Sequence, residues 1–142
     1  MRKVADILKR KGSHVETVQS ELTVIDALRL MADKNIGSVA VAQNERFVGL
    51  MTERDYSRKV ILKGRSSSET TVGEIMNTEY PSVIQNDSIE HCMELMSSKN
   101  LRYLPVIEQG KLKGIISIND VVTETILTQK ETIEHLQNYI HS

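Results

Sequence analysis

The chain has 142 residues and sets 18 basic against 19 acidic side chains, so a net charge of -1 supplies no field drawing it onto nucleic acid or an anionic membrane. Its apolar share of 39% includes no Trp and one Phe, which excludes rows of aromatic base-stacking platforms and leaves a core of Val, Ile, Leu, Met and Ala. One cysteine, Cys92, rules out an internal disulfide framework, and no apolar run approaches the ~18 residues of a membrane span. The amino end turns charged again at Lys9-Arg10-Lys11 before a signal-peptide core develops, so a soluble, cytoplasmic protein is expected.

In chain order, a lead-in Val4-Ala5-Asp6-Ile7-Leu8 precedes a short strand at 16–18. Thr23 then opens a helix whose apolar positions are 24, 27, 28, 30 and 31. Strands at 38–42 and 47–51 follow, joined by the turn Gln43-Asn44-Glu45-Arg46, and a second helix begins at Glu53. The small, polar run 64–71 reads as an exposed connection.

The same order then returns. A matched lead-in, Val72-Gly73-Glu74-Ile75-Met76, precedes a strand at 82–84 and a helix opened by Ser88, with apolar positions 89, 92, 93, 95 and 96. Strands at 102–107 and 112–117, joined at Glu108-Gln109-Gly110-Lys111, lead to a helix from Ile118. Residues 17–55 align on 82–120 without a gap, with eight identities including Leu30/Leu95, Asn35/Asn100, Gly49/Gly114 and Asp55/Asp120. Apolar positions match in period as well as place, the mark of an internal duplication. Residues 1–71 are thus read as the first repeat with its lead-in and linker, and 72–128 as the second. Residues 129–142 are read as a C-terminal helix, whose stripe Ile133, Leu136, Tyr139 and Ile140 needs something to pack on. The fold class is α+β, two pseudo-symmetric β-α-β-β-α units with that helix appended.

Each hairpin passes into a helix through the same signature, Gly-x-x-(Thr or Ser)-x-x-Asp. The copies are Gly49-Leu50-Met51-Thr52-Glu53-Arg54-Asp55 and Gly114-Ile115-Ile116-Ser117-Ile118-Asn119-Asp120. Two readings are open. A hydroxyl followed three residues later by an acid is a capping box that needs no ligand. The same hydroxyl, beside free N–H groups and the positive end of a helix, suits a phosphate, and the Asp suits two ribose hydroxyls. Duplication of the construction favours a ligand.

Other chemistry finds little support. Cys92 sits among helical apolar neighbours and reads as a buried structural thiol. His14, His91, His135 and His141 show no metal-ligand spacing, so no metal is expected. There is no Walker loop, no Gly-x-Gly-x-x-Gly turn, and no nucleophile, base and orienting-acid set, so neither a catalytic cofactor nor an enzyme is expected.

The lead-ins, the two signatures and Leu101-Arg102-Tyr103-Leu104-Pro105-Val106-Ile107 together resemble the cystathionine-β-synthase (CBS) domain family over nearly the whole chain. In that family two repeats pair as a Bateman module and bind adenosine nucleotides. The resemblance implies ribose contacts from Asp55 and Asp120 and phosphate contacts from Thr52 and Ser117. It also implies adenine enclosure by Thr17, Val18, Ser82 and Val83. The run 52–59 further resembles a stand-alone bacterial and organellar branch, for which the implied ligands are AMP or NAD(H), with ATP or ADP as relatives. Arg54 and Arg58, four apart on one helical face, are candidates for the same anion, with a solvated charged face as the alternative. Arg102 is a candidate for phosphate, and its counterpart Gly37 makes the two sites unequal.

The implied function is a regulatory nucleotide-sensing module, a homodimer acting on an unidentified effector protein, with no nucleic acid or membrane partner. The alternative is a protein-interaction adaptor with vestigial clefts.

Overall fold

The computed structural model describes residues 2–141. Its elements are α1 (Val4–Lys11), β1 (Thr17–Val18), α2 (Val24–Lys34), β2 (Ser38–Gln43), β3 (Arg46–Thr52) and α3 (Glu53–Tyr56), then a π-helical turn, Ser57–Ile61. They continue with α4 (Val72–Ile75), α5 (Ile89–Lys99), β4 (Tyr103–Glu108), β5 (Lys111–Ser117) and α6 (Ile118–His141). The predicted α+β class and both repeats are present.

Caps and turns explain why the two repeats fold alike. Thr23 accepts a hydrogen bond from the Asp26 N–H at 3.3 Å, and Ser88 one from the His91 N–H at 3.1 Å, so each helix starts where its hydroxyl stands. Both helices end on an asparagine in the left-handed region, Asn35 and Asn100, each at φ 54. The next N–H then reaches back five residues, Ile36 to the Met31 carbonyl and Leu101 to the Met96 carbonyl, satisfying carbonyls the helix leaves free. Both hairpins turn on two residues of positive φ, Asn44-Glu45 and Gln109-Gly110, the geometry that matches strand twist.

The first repeat forms a three-stranded sheet in the order β1-β2-β3. β1 runs parallel to β2, Thr17 opposite Ala40, and β2 runs antiparallel to β3 from Ser38↔Thr52 to Gln43↔Arg46. In the second repeat β4 and β5 pair as two strands, and the strand expected at 82–84 is reduced to one parallel bridge, Val83↔Val106. The cause is Pro105. Its counterpart Ala40 donates its N–H to the Glu16 carbonyl at 3.4 Å, whereas proline has no N–H for that rung. The bridge keeps only the Val83 N–H on the Pro105 carbonyl and the Ile107 N–H on the Val83 carbonyl, both at 3.0 Å.

The chain groups into two compact units, each described by itself. One holds residues 14–80 with 109–112; the other holds the chain up to residue 13, 81–108, and from 113 onward. Each lead-in therefore folds with the repeat it does not precede. In the 14–80 unit, α4 is tied by the Val72 N–H on the Leu22 carbonyl at 2.8 Å and the Gly73 N–H on the Ser20 carbonyl at 2.9 Å. Its Val72 and Ile75 join a core with Val24, Ala27 and Met31 of α2, Val39 and Val41 of β2, Met51 and Val60. Burial of each of these Val, Ile and Met side chains contributes ~1.5–3 kcal/mol. In the other unit α1 is held at its start, where the Val4 and Ala5 N–H groups reach the Asp87 and Gln85 carbonyls at 3.0 Å.

These crossings account for the glycines of both signatures. A Cβ at Gly49 would lie 2.9 Å from Met76 Sδ and 3.0 Å from the Asn77 carbonyl oxygen; one at Gly114 would lie 2.6 Å from Leu8 Cδ2. The glycine makes room for the lead-in passing over the strand.

α6 is continuous through the expected boundary at 128–129, since residues 118–141 contain no Gly or Pro to interrupt it. Ser142 lies outside the described residues. The stripe Ile133, Leu136, Tyr139 and Ile140 is exposed in the single chain, at 54%, 58%, 82% and 74%.

Candidate functional site

In the 14–80 unit, β3 delivers Thr52 to the head of α3. Thr52 Oγ1 accepts from the Asp55 N–H at 3.2 Å, and Asp55 Oδ2 accepts from the Thr52 N–H at 2.9 Å and its hydroxyl at 3.1 Å. The capping box expected from the residue types is thus made. The other carboxylate oxygen, Asp55 Oδ1, meets Lys59 Nζ at 3.1 Å, and the same ammonium donates to the Ile75 carbonyl of α4 at 2.8 Å. Lys59 was not among the expected site residues, although an acid and a lysine four apart on a helix is a legible pair.

The second copy repeats this construction with one substitution of parts. Asp120 Oδ2 accepts from the Ser117 N–H at 2.8 Å, and the Asp120 N–H donates to Ser117 Oγ at 3.2 Å. The cation here is Lys11, the last residue of α1, whose Nζ is 2.8 Å from Asp120 Oδ2 and 2.9 Å from the Ile115 carbonyl. Both signatures therefore end in a carboxylate held by its own cap and by a lysine bound to a nearby carbonyl. One turn along α6, Glu124 has a fully buried side chain between Arg10 Nε at 2.6 Å and Arg2 Nη1 at 3.1 Å. Arg2 also pairs with Glu131. Three cations at or beside the two ends of α1 are thus fastened to α6.

The loop before each middle strand is pinned to the same helix start. The Glu53 N–H donates to the Gly37 carbonyl at 3.2 Å and the Ile118 N–H to the Arg102 carbonyl at 2.8 Å. This brings the backbone of Arg102 to the Ser117–Asp120 cap, with its side chain exposed. Arg54 lies half-buried on α3, beside Asp55. Arg58 is exposed on the π-helical turn that follows. Thr17 and Val18 share the sheet with Thr52: Thr17 faces Ala40, two residues along β2 from Ser38, the partner of Thr52. Ser82 is exposed and Val83 is buried in its bridge with Val106.

Cys92 is buried on α5, and burial with the nearby Asp87 charge pushes its thiol up to about 11, so it is protonated near neutrality. Among the described residues, no group of three or more His, Cys, Asp or Glu is placed to hold a metal ion. Among them, too, no helix is long and apolar enough to cross a membrane.

A family model described as "CBS domain" matches residues 4–61 and 72–126. Among curated proteins, the chain is 34% identical over 146 residues to the mitochondrial CBS domain-containing protein CBSX3 of Arabidopsis thaliana, covering 96% of this chain and 71% of that one. Among solved structures, a protein with CBS domains from Burkholderia ambifaria MC40-6, described as a candidate in signal transduction, is 44% identical. Its TM-score is 0.86 over 90% of this chain and 96% of that chain. A hexameric CBS-CP12 protein from bloom-forming cyanobacteria is similar at 25% identity and TM-score 0.77, over 99% of this chain and 85% of that one.

Proposed function

The chain belongs to the CBS-domain family as a tandem pair, and on that premise we propose that it is a regulatory module binding adenosine nucleotides of the AMP or NAD(H) type at its two signatures. One observation carries the reading: the same hydroxyl and carboxylate stand at the head of a helix twice, each time with a lysine on the carboxylate. A cap alone needs no such cation, whereas an anion arriving at the positive end of a helix beside a carboxylate is favoured by one. Asp55 and Asp120 hold ribose, Thr52 and Ser117 approach phosphate, and Thr17, Val18, Ser82 and Val83 enclose the base. Arg54 and Arg58 add positive charge to the first site and Arg102 to the second. Because Arg102 stands where the first repeat has Gly37, at equivalent backbone contacts to the helix start, the two sites differ in charge and fill unequally.

The chain acts as a homodimer in this reading, through the exposed stripe of α6. Its exposed Val122, Ile126, Ile133, Leu136 and Ile140 are spaced by four, seven, three and four residues, close to one heptad seam. In this reading the signal passes to a partner protein, and a ligand shifts that interaction only by its differential affinity for two states.

A second reading has its own support, since both carboxylates are already satisfied internally: an adaptor whose signatures are structural caps. Calorimetry of the full chain with AMP, ADP, ATP and NADH separates the two. Binding that is lost in Asp55→Ala/Asp120→Ala is the expected result. If none of the four binds, and mass spectrometry finds no nucleotide released on denaturation, the adaptor reading stands instead.

A further inference from the structure

Lys11 ends α1, the helix that continues the lead-in of the first repeat, yet its ammonium sits on the signature of the second, 2.8 Å from Asp120 Oδ2. It is held there by more than its own ion pair. Arg10, the preceding residue, and Arg2, just before α1, both pair with the buried Glu124, one helical turn beyond Asp120. The backbone carrying Lys11 is therefore fixed along α6, while its side chain, 34% exposed and with a flexible four-carbon stem, lets the ammonium change partners. The oxygen it contacts also accepts the Ser117 N–H. A ribose seeking that carboxylate meets an acceptor already engaged by a cation. A phosphate at Ser117 offers the cation a second anion within reach of the same stem.

Resting on the nucleotide reading above, we propose that Lys11 is a specificity-determining residue of the second signature, selecting phosphorylated nucleosides over bare ones. A nucleoside competes with the ammonium for Asp120. A nucleotide draws the ammonium onto its phosphate and leaves the carboxylate to the ribose. The lead-in is thereby part of the site it crosses to, and its C-terminal end reports whether a phosphate is present.

The test compares AMP with adenosine by calorimetry on the full chain carrying Asp55→Ala, so that the second signature alone is read. Adding Lys11→Met should weaken AMP roughly ten- to hundredfold, the loss of one charge-assisted hydrogen bond, and leave adenosine unchanged or tighter. Lys11→Arg should retain most of the preference, and thermal melting confirms that each variant is folded. Equal factors for AMP and adenosine, or no change in either, would reduce Lys11 to a tether for α1. If the parent chain binds neither compound, the nucleotide reading itself fails, and the proposal with it.

Discussion

Gly49 and Gly114 occupy the same place in the two signatures, but an alanine at each should have a different cost, because what the new methyl meets differs in stiffness. At Gly49 the Cβ would lie 3.0 Å from the Asn77 carbonyl oxygen and 2.9 and 3.1 Å from Met76 Sδ and Cγ. Asn77 cannot retreat freely: its N–H donates to the Leu50 carbonyl at 2.9 Å, and its carbonyl accepts the Leu50 N–H at 3.1 Å. Overpacking of this kind costs about 1–3 kcal/mol, and loosening one of those hydrogen bonds about 0.5–1.5 kcal/mol more. The gain from removing a glycine from a strand offsets roughly 0.5–1 kcal/mol. The net expectation for Gly49→Ala is a loss of about 2–3 kcal/mol. At Gly114 the sole contact under 3.0 Å is the terminal Leu8 Cδ2 at 2.6 Å, the next atoms lying at 3.6 and 3.7 Å. A rotation of Leu8 relieves it, so Gly114→Ala should cost about 1 kcal/mol or less. Urea unfolding of both variants reads the difference directly as a midpoint shift at constant slope. Equal losses, or a larger one at Gly114, would refute the argument. So would full recovery of Gly49→Ala by Met76→Ala, since the decisive neighbour is backbone.

The Glu124 cluster should also respond asymmetrically. Arg2/Arg10→Met strands a carboxylate that is fully buried and should cost about 3 kcal/mol or more, whereas Glu124→Met leaves two arginines whose side chains are 25% and 38% exposed and should cost under about 1.5 kcal/mol. Urea midpoints again decide, and comparable losses would show that the carboxylate finds water. On α6, Ile133→Glu/Leu136→Glu/Ile140→Glu should convert the proposed dimer to a monomer in sedimentation at low micromolar concentration, with the far-ultraviolet dichroism of the core retained. A wild-type chain that already sediments as a monomer would dismiss the seam.

Features set by neighbours in sequence were legible: Thr23 and Ser88 as caps, the two-residue hairpin turns, and the reciprocal bonds of Thr52–Asp55 and Ser117–Asp120 three residues apart. The loss of the 82–84 strand was legible in principle, because Pro105 removes a rung whose position the repeat alignment marks. Which repeat each lead-in packs on was not, since hydrogen bonds such as Val4 to Asp87 leave no periodic trace in either segment. Lys11 follows the same rule: its partner is 109 positions away, and nothing around it in sequence names Asp120. Glu124 carried a fainter signal, a charge three residues beyond buried Val121 on a helix, with its two arginines far off in the chain.

The crossing of the lead-ins bears on how such a protein is made. Helix α1 leaves the ribosome before the residues that hold it, which run from Gln85 to Glu124. At about 5–20 residues per second it waits about 4–24 s for those partners, whereas the 14–80 unit has all but residues 109–112 once Tyr80 is made. The same crossing has a counterpart in two-chain assemblies. A single repeat whose lead-in folds onto a second copy is a segment-swapped dimer, and joining two such genes end to end would preserve every exchanged contact while turning an assembly of two chains into one.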